Sequence, residues 1–244
     1  MSVPTAPATD TAQVWWWHTA DTVRPADLAL LNQAERLRAA RIRLPQHAGE
    51  FVSCRAAVRR ILASLLGVAP TELRLGRRPC PGCGSADHGP PTVVAPECDW
   101  WISIAHSSGA GLLAVADAPV GVDLERSRKI PVAELSSVAL SPTETARLRA
   151  LPRELDRTRA FLRSWTRKEA VLKAAGVGIT TDLTAIEAHP LTTGPVTVTV
   201  PDLAKLADTP VRWSVTELPM PTPWSAAIAL PADRIKPVQL RAHP

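Results

Sequence analysis

Phe161-Leu162-Arg163-Ser164-Trp165-Thr166-Arg167-Lys168-Glu169-Ala170-Val171-Leu172-Lys173 sets a tryptophan, an acid and a base four residues apart. At that spacing Trp165, Glu169 and Lys173 share one face of a helix. The spacing predicts a helix over about 156–175, with Gly176 as its stop. A Glu–Lys pair one turn apart is, by itself, commonly a surface salt bridge worth about 0.2–0.5 kcal/mol. Upstream lies Gly121-Val122-Asp123-Leu124-Glu125, which reads as a strand. Residues two apart on a strand point to the same side, so Asp123 and Glu125 present two carboxylates together. Two like charges that close stay ionised only when a cation or basic groups compensate. Hard oxygen ligands on one strand suit magnesium, which takes one or two protein carboxylates and substrate phosphate. Alone, D-x-E is as readily an exposed acidic strand edge.

The rest of the chain reads outward from these two segments. Ser141-Pro142-Thr143-Glu144 is a capping box with proline at the first helical position, so a helix starts there. Segments 183–188, 196–200, 211–217 and 224–230 read as a strand-rich finish. Before residue 120, strands are expected at 12–18, 100–105 and 112–116, and helices over 25–40 and 49–66. The first helix shows Leu28, Leu31, Ala34 and Leu37 at helical spacing and runs into Arg36, Arg38, Arg41 and Arg43. The second carries Phe51, Val58, Leu62 and Leu65 on one side, Arg55 and Arg59 one turn apart, and Gly67 as its stop. Trp15, Trp16 and Trp17 read as core and rim fillers rather than as a base-stacking platform. Segment 76–98 reads as an irregular Gly/Pro-rich loop, and residues 1–10 as a frayed tail. The order helix–helix–strands, then helix–helix–strands, implies an α+β fold of two similar halves, 1–119 and 120–244.

The 244 residues suffice for one large domain or two small ones, and 45% apolar with 21% charged residues is a globular composition. Segment 109–122, the longest apolar candidate, is broken by Asp117 and falls short of the roughly 18–20 residues of a membrane span. MSVPTAPATD has neither a basic nor an apolar signal region, so a cytoplasmic location and no membrane association are expected. A net charge of +5 and a pI near 9.4 favour an anionic partner: nucleic acid, a polyphosphate ligand or an acidic protein.

Taken together, G-V-D-L-E followed by W-T-R-K-E-A-V-L-K resembles the 4'-phosphopantetheinyl transferases of the surfactin-synthetase type. The resemblance runs over about 28–230. It includes Ile104-Ala105-His106-Ser107, similar to the family's I-S-H-S, and Phe51 to Arg55, similar to its arginine-bearing helix. The length matches the single-chain branch, a monomeric pseudo-dimer of two α+β halves. The resemblance implies transfer of phosphopantetheine from coenzyme A to a serine of an acidic acyl or peptidyl carrier protein, leaving adenosine 3',5'-bisphosphate. The carriers would belong to fatty-acid, polyketide or nonribosomal-peptide synthases. It implies Asp123, Glu125 and Glu169 as magnesium ligands, with Asp123 also at the coenzyme and Glu169 also the base. Lys173 would stabilise the leaving group, and Lys168 would help hold phosphate. Arg55 and His106 would bind the 3'-phosphate end of coenzyme A, and Ser107 would also contact the coenzyme. His88-Gly89-Pro90-Pro91 stands where the family often has G-K-P or G-R-P, so Gly89 and Pro91 would keep a turn that lacks its basic side chain. Ala105 replaces the usual serine. The loop 126–140 and the helix after it would dock the carrier, through Ser127, Arg128, Lys129, Ile130, Val132 and Leu135.

Cys80-Pro81-Gly82-Cys83 is a C-x-x-C knuckle that His88 and Cys98 could complete for zinc, but no second knuckle follows. A plain loop with reduced thiols is therefore expected, and no zinc. His18, His47, His189 and His243 read as ordinary surface or core residues. The alternative to an enzyme is a basic nucleic-acid-binding module using the knuckle, the arginine helices and the tryptophans. It explains the charge and leaves the aligned acids without purpose.

Overall fold

The computed structural model describes residues 11–128, 130–178 and 181–243; the expected frayed tail, 1–10, lies outside them. The first part of the chain runs β1 (Ala12–His18), α1 (Pro25–Leu28), α2 (Gln33–Arg41), α3 (Pro45–Leu66), β2 (Arg74–Arg77), β3 (Pro91–Ala95), β4 (Trp101–Ser107) and β5 (Ala110–Ala116). The second runs β6 (Gly121–Arg126), α4 (Val132–Ala139), α5 (Pro142–Arg149), α6 (Glu154–Ala175), β7 (Val196–Thr199), β8 (Arg212–Glu217), β9 (Trp224–Pro231) and β10 (Val238–Ala242). The fold is α+β, as expected from the order of elements.

Two four-stranded sheets carry it, ordered β10-β1-β5-β4 and β6-β9-β8-β7, beside the hairpin β2-β3. The last strand returns to lie parallel to β1, pairing Ala12 with Val238 and Trp16 with Ala242. Segment 120–244 therefore supplies a strand to the first sheet as well as the whole of the second. The edges β4 and β6 meet where the Val122 amide donates to Ser103 Oγ at 3.0 Å. One apolar cluster joins Val14 and Leu112 of the first sheet to Val122 and Ile228 of the second, so the core continues through the boundary.

Strand periodicity sorts the tryptophan row. Trp15 and Trp17 pack with Val58 and Leu62 of α3, whereas Trp16 lies on the opposite side against the cluster between the sheets. They fill core positions, and Trp15 and Trp17 are buried too deeply to stack on bases.

The expected helix over 25–40 is two helices. Asn32 accepts from the Glu35 amide at 2.9 Å, and Glu35 reaches back to the Asn32 amide at 3.1 Å. That capping box starts α2 afresh and ends the leucine periodicity. In 76–98, expected to be irregular, β3 pairs with β2 and buries Val93. At 183–188, expected to be a strand, a 3-10 turn spans Leu183–Ala185, because Asp182 accepts from the Thr184 amide at 2.9 Å. The Ser141–Glu144 box caps α5 as expected, and Gly67 (φ 68°) and Gly176 (φ 74°) end α3 and α6 in the left-handed conformation that glycine adopts at little cost. No helix among the described residues is long and apolar enough to cross a membrane.

Candidate active site

The helix α6 lies directly on β6. A Cβ on Gly121 would come 1.9 Å from the Ala170 carbonyl oxygen and 2.4 Å from the Ala174 amide nitrogen, so only glycine permits this approach. With the helix that close, Lys173 Nζ reaches Asp123 Oδ1 at 2.6 Å. On the same side of β6, Glu125 Oε2 accepts from Ser107 Oγ at 2.9 Å, and the Ser107 carbonyl accepts from the Trp224 indole at 3.3 Å.

Three carboxylates thus share one half-closed space. Burial followed by repulsion from Asp123 pushes the Glu169 carboxyl up to about 7, against the pull of Lys173. Burial raises Asp123 as well, opposed by Lys173, and burial plus the Asp123 charge raises Glu125. Asp123 Oδ2 and Glu169 Oε1 are buried with no hydrogen-bond partner. Lys173 offsets only part of this repulsion, and the unpartnered hard oxygens that remain fit a magnesium ion. Among the described residues, however, the set of three His, Cys, Asp or Glu side chains with ligand atoms within 4.8 Å of one another is Cys80, Cys83 and His88, not the carboxylates.

Next to the acids opens a cleft of about 280 Å³. Arg38, Arg55, Arg77, His106 and Lys173 line it together with the Gly89–Pro91 turn, over a floor that includes Phe51 and Leu172. Buried Arg59 takes Glu35 at 2.6 Å, while Arg55 stands 3.7 Å from the same carboxylate. Arg38 and Arg55 both lie over the Phe51 ring, at 4.9 and 5.7 Å. Burial, with repulsion from Arg55 and Arg38, lowers the Arg77 pKa below its ordinary value. Such a concentration of positive charge around an apolar floor suits a ligand with several phosphates and a flat or apolar part. His106 Nδ1 meets Glu50 Oε1 at 3.2 Å. Burial pushes the Cys54 thiol to about 12, so this cleft residue stays neutral and unreactive.

Of the residues singled out in the sequence, Arg55, Gly89, Pro91, His106 and Lys173 come together in the cleft. Lys173 joins them to Asp123, whose charge also acts on Glu125 and Glu169. Ser107 is turned toward Glu125. Lys168 departs from expectation. Its ammonium is wholly buried, donating to Glu144, to the Ala139 carbonyl at 2.8 Å and to the Leu183 carbonyl at 2.9 Å. With three acceptors inside the protein it has nothing left for phosphate. It sits five positions before Lys173, on another side of α6. Sequence reasoning misses Arg38 and Arg77; they lie in segments far apart in the chain, and no spacing rule connects them.

Segment 126–140, expected as a loop, contains α4. Ile130 and Val132 pack inward toward Leu148 and Phe161, whereas Leu135 and Val138 are exposed; Lys129 lies outside the described residues.

Comparison with known proteins gives the chain a family. Residues 119–229, which hold β6, α6 and all three carboxylates, match the 4'-phosphopantetheinyl transferase superfamily. The 4'-phosphopantetheinyl transferase HetI of Nostoc sp. is 33% identical over 210 residues, 83% of this chain and 79% of that one. A Synechocystis sp. protein named provisionally as a 4'-phosphopantetheinyl transferase is 33% identical over 177 residues, 71% of this chain and 68% of that one. A 4'-phosphopantetheinyl transferase of Bacillus subtilis is 29% identical over 119 residues, 49% of this chain and 52% of that one. The chain belongs to the 4'-phosphopantetheinyl transferase superfamily.

Proposed function

We propose that this chain transfers the 4'-phosphopantetheine group of coenzyme A to a serine hydroxyl of an apo carrier protein. It does so with magnesium held by Asp123, Glu125 and Glu169, as a cytoplasmic monomer of the single-chain, surfactin-synthetase-activating type. One observation carries the reading: a basic cleft opens beside buried acids, two of whose oxygens have no partner. An anion-binding surface for nucleic acid has no use for acids at its centre. A pyrophosphate brought together with a divalent cation needs both.

The roles follow from position. Arg38, Arg55, Arg77 and His106 hold the phosphate-bearing nucleotide end over Phe51. The serine oxygen attacks the pyrophosphate phosphorus that carries pantetheine, and the bond from that phosphorus to the bridging oxygen breaks. Glu169 takes the serine proton, directly or through water. Lys173, already beside Asp123, stabilises or protonates the departing bisphosphate. Bound magnesium would neutralise the charge that grows on that leaving group. Exposed Leu135 and Val138 on α4, with exposed Arg128 nearby, offer apolar and basic contacts to an acidic carrier helix.

Calorimetry separates the two functional classes. Coenzyme A should bind in the presence of magnesium and weaken when the metal is chelated. Tight, salt-sensitive binding of duplex or single-stranded DNA, without coenzyme A binding, would overturn the assignment.

A further inference from the structure

Outside the acid cluster, a second set of ligand-type side chains has no part in the chemistry above. Cys80, Cys83 and His88 each bring a ligand atom within 4.8 Å of the other two, and Cys83 Sγ lies 3.2 Å from His88 Nε2. The backbone closes a tight turn around them. The Gly84 amide donates to the Cys80 carbonyl and the Cys80 amide to the Ser85 carbonyl, both at 2.8 Å, with Gly84 at φ 76°. The amides of Gly82 and Cys83 also donate to the Cys80 sulfur. The sequence argued against zinc because no second knuckle follows; in the fold, a histidine from the same turn supplies the third ligand.

We propose that Cys80, Cys83 and His88 bind one zinc ion, with water in the fourth position. Two thiolates and an imidazole are the donors that zinc prefers, and their ligand atoms already converge within 4.8 Å of one another. Cys98 stands outside this group of three.

The knuckle is joined to the wall of the cleft. His88, Gly89 and Pro90 line the cleft, and the Gly89 carbonyl accepts from Arg77 at 2.8 Å. A Cβ on Gly89 would stand 1.8 Å from the Arg78 carbonyl oxygen, so this stretch is pressed flat against the end of β2. Pro90 in turn abuts Gly176 at the end of α6, where a Cβ would meet its ring at 2.4 Å. The ion would tie His88 to the knuckle and so fix the wall against which coenzyme A lies.

The test is metal content of the full chain, read without coenzyme A or carrier, so failure of the transferase reading leaves it intact. Protein purified with zinc and dialysed should keep about one zinc per chain. Cobalt in its place should give a thiolate-to-metal charge-transfer band. Cys83→Ser and His88→Ala change exposed residues and should fold, yet bind zinc at least about tenfold more weakly. Cys83→Ser should also lose about half of the cobalt charge-transfer intensity. Substoichiometric zinc in the wild type, or undiminished zinc in both variants, would overturn the proposal.

Discussion

Replacing Lys168 with methionine should make the protein much easier to unfold while leaving its hold on coenzyme A intact. Methionine keeps the length of the stem and the helix propensity but removes the ammonium. The Ala139 and Leu183 carbonyls each lose a donor, and Glu144 loses its cation. Glu144 is completely buried and keeps only neutral donors: the Ser141 amide at 2.9 Å, the Ala188 amide at 2.8 Å and the Ser164 hydroxyl. Breaking a buried pair by removing one partner costs about 3–5 kcal/mol, because the remaining charge is stranded. For a chain of this size each kcal/mol lowers Tm by about 2–4 °C, so a fall of about 6–20 °C is expected. Adding Glu144→Gln should recover part of the loss by removing the stranded charge. Thermal melts by circular dichroism, with calorimetric titration of coenzyme A at a temperature where both proteins are folded, read the two effects separately. Lys173→Met should give the opposite pattern, with weaker binding of coenzyme A and a smaller change in Tm. An unchanged Tm for Lys168→Met, together with a tenfold loss of coenzyme A affinity, would refute the inward placement of Lys168.

Glu169→Gln removes a metal ligand and the base at nearly constant size, and turnover should fall by roughly 10²–10⁴. Its Tm should not fall, since repulsion from Asp123 is relieved. In protein stripped of divalent ions, folded Glu169 holds a proton up to about pH 7, whereas the unfolded chain releases it near the ordinary 4.5. The folded state therefore binds more protons in that window, and stability to urea should decline as pH rises through it. Magnesium should flatten the slope, the Glu169→Gln variant should show a shallower one, and a rise in stability with pH would count against the acid cluster. Gly121→Ala should push α6 off β6, at a cost of about 1–3 kcal/mol, and should depress turnover more than its melting point suggests.

The parts of the site legible in the sequence are those written in local periodicity. Asp123 and Glu125 alternate on one strand, and Glu169 and Lys173 are one helical turn apart, so the spacing alone places each pair. Turn chemistry is equally plain at Ser141–Glu144, Gly67 and Gly176. The break at Asn32 is also written locally, as N-x-x-E, but the leucine spacing across it masks the signal. Lys168 misleads because helical spacing shows which side of α6 it occupies, not that α5 brings Glu144 to that side. Arg38 and Arg77 reach the cleft only through the packing of α2 against α3 and the pairing of β2 with β3, which packs against β4. The return of β10 to the first sheet is likewise a non-local pairing, which no local pattern in 238–242 announces. His88 and Cys98 look equally able to complete the knuckle in the sequence; only the fold brings His88 onto Cys83 and leaves Cys98 outside the group.

The most direct test of the account is the intact mass of apo acyl and peptidyl carrier proteins after incubation with this chain, coenzyme A and magnesium. A gain of one phosphopantetheine unit on the acceptor serine, absent with Asp123→Ala that remains folded, is the predicted result. Unchanged carrier masses, from folded protein that binds coenzyme A and across carriers of both classes, would contradict it.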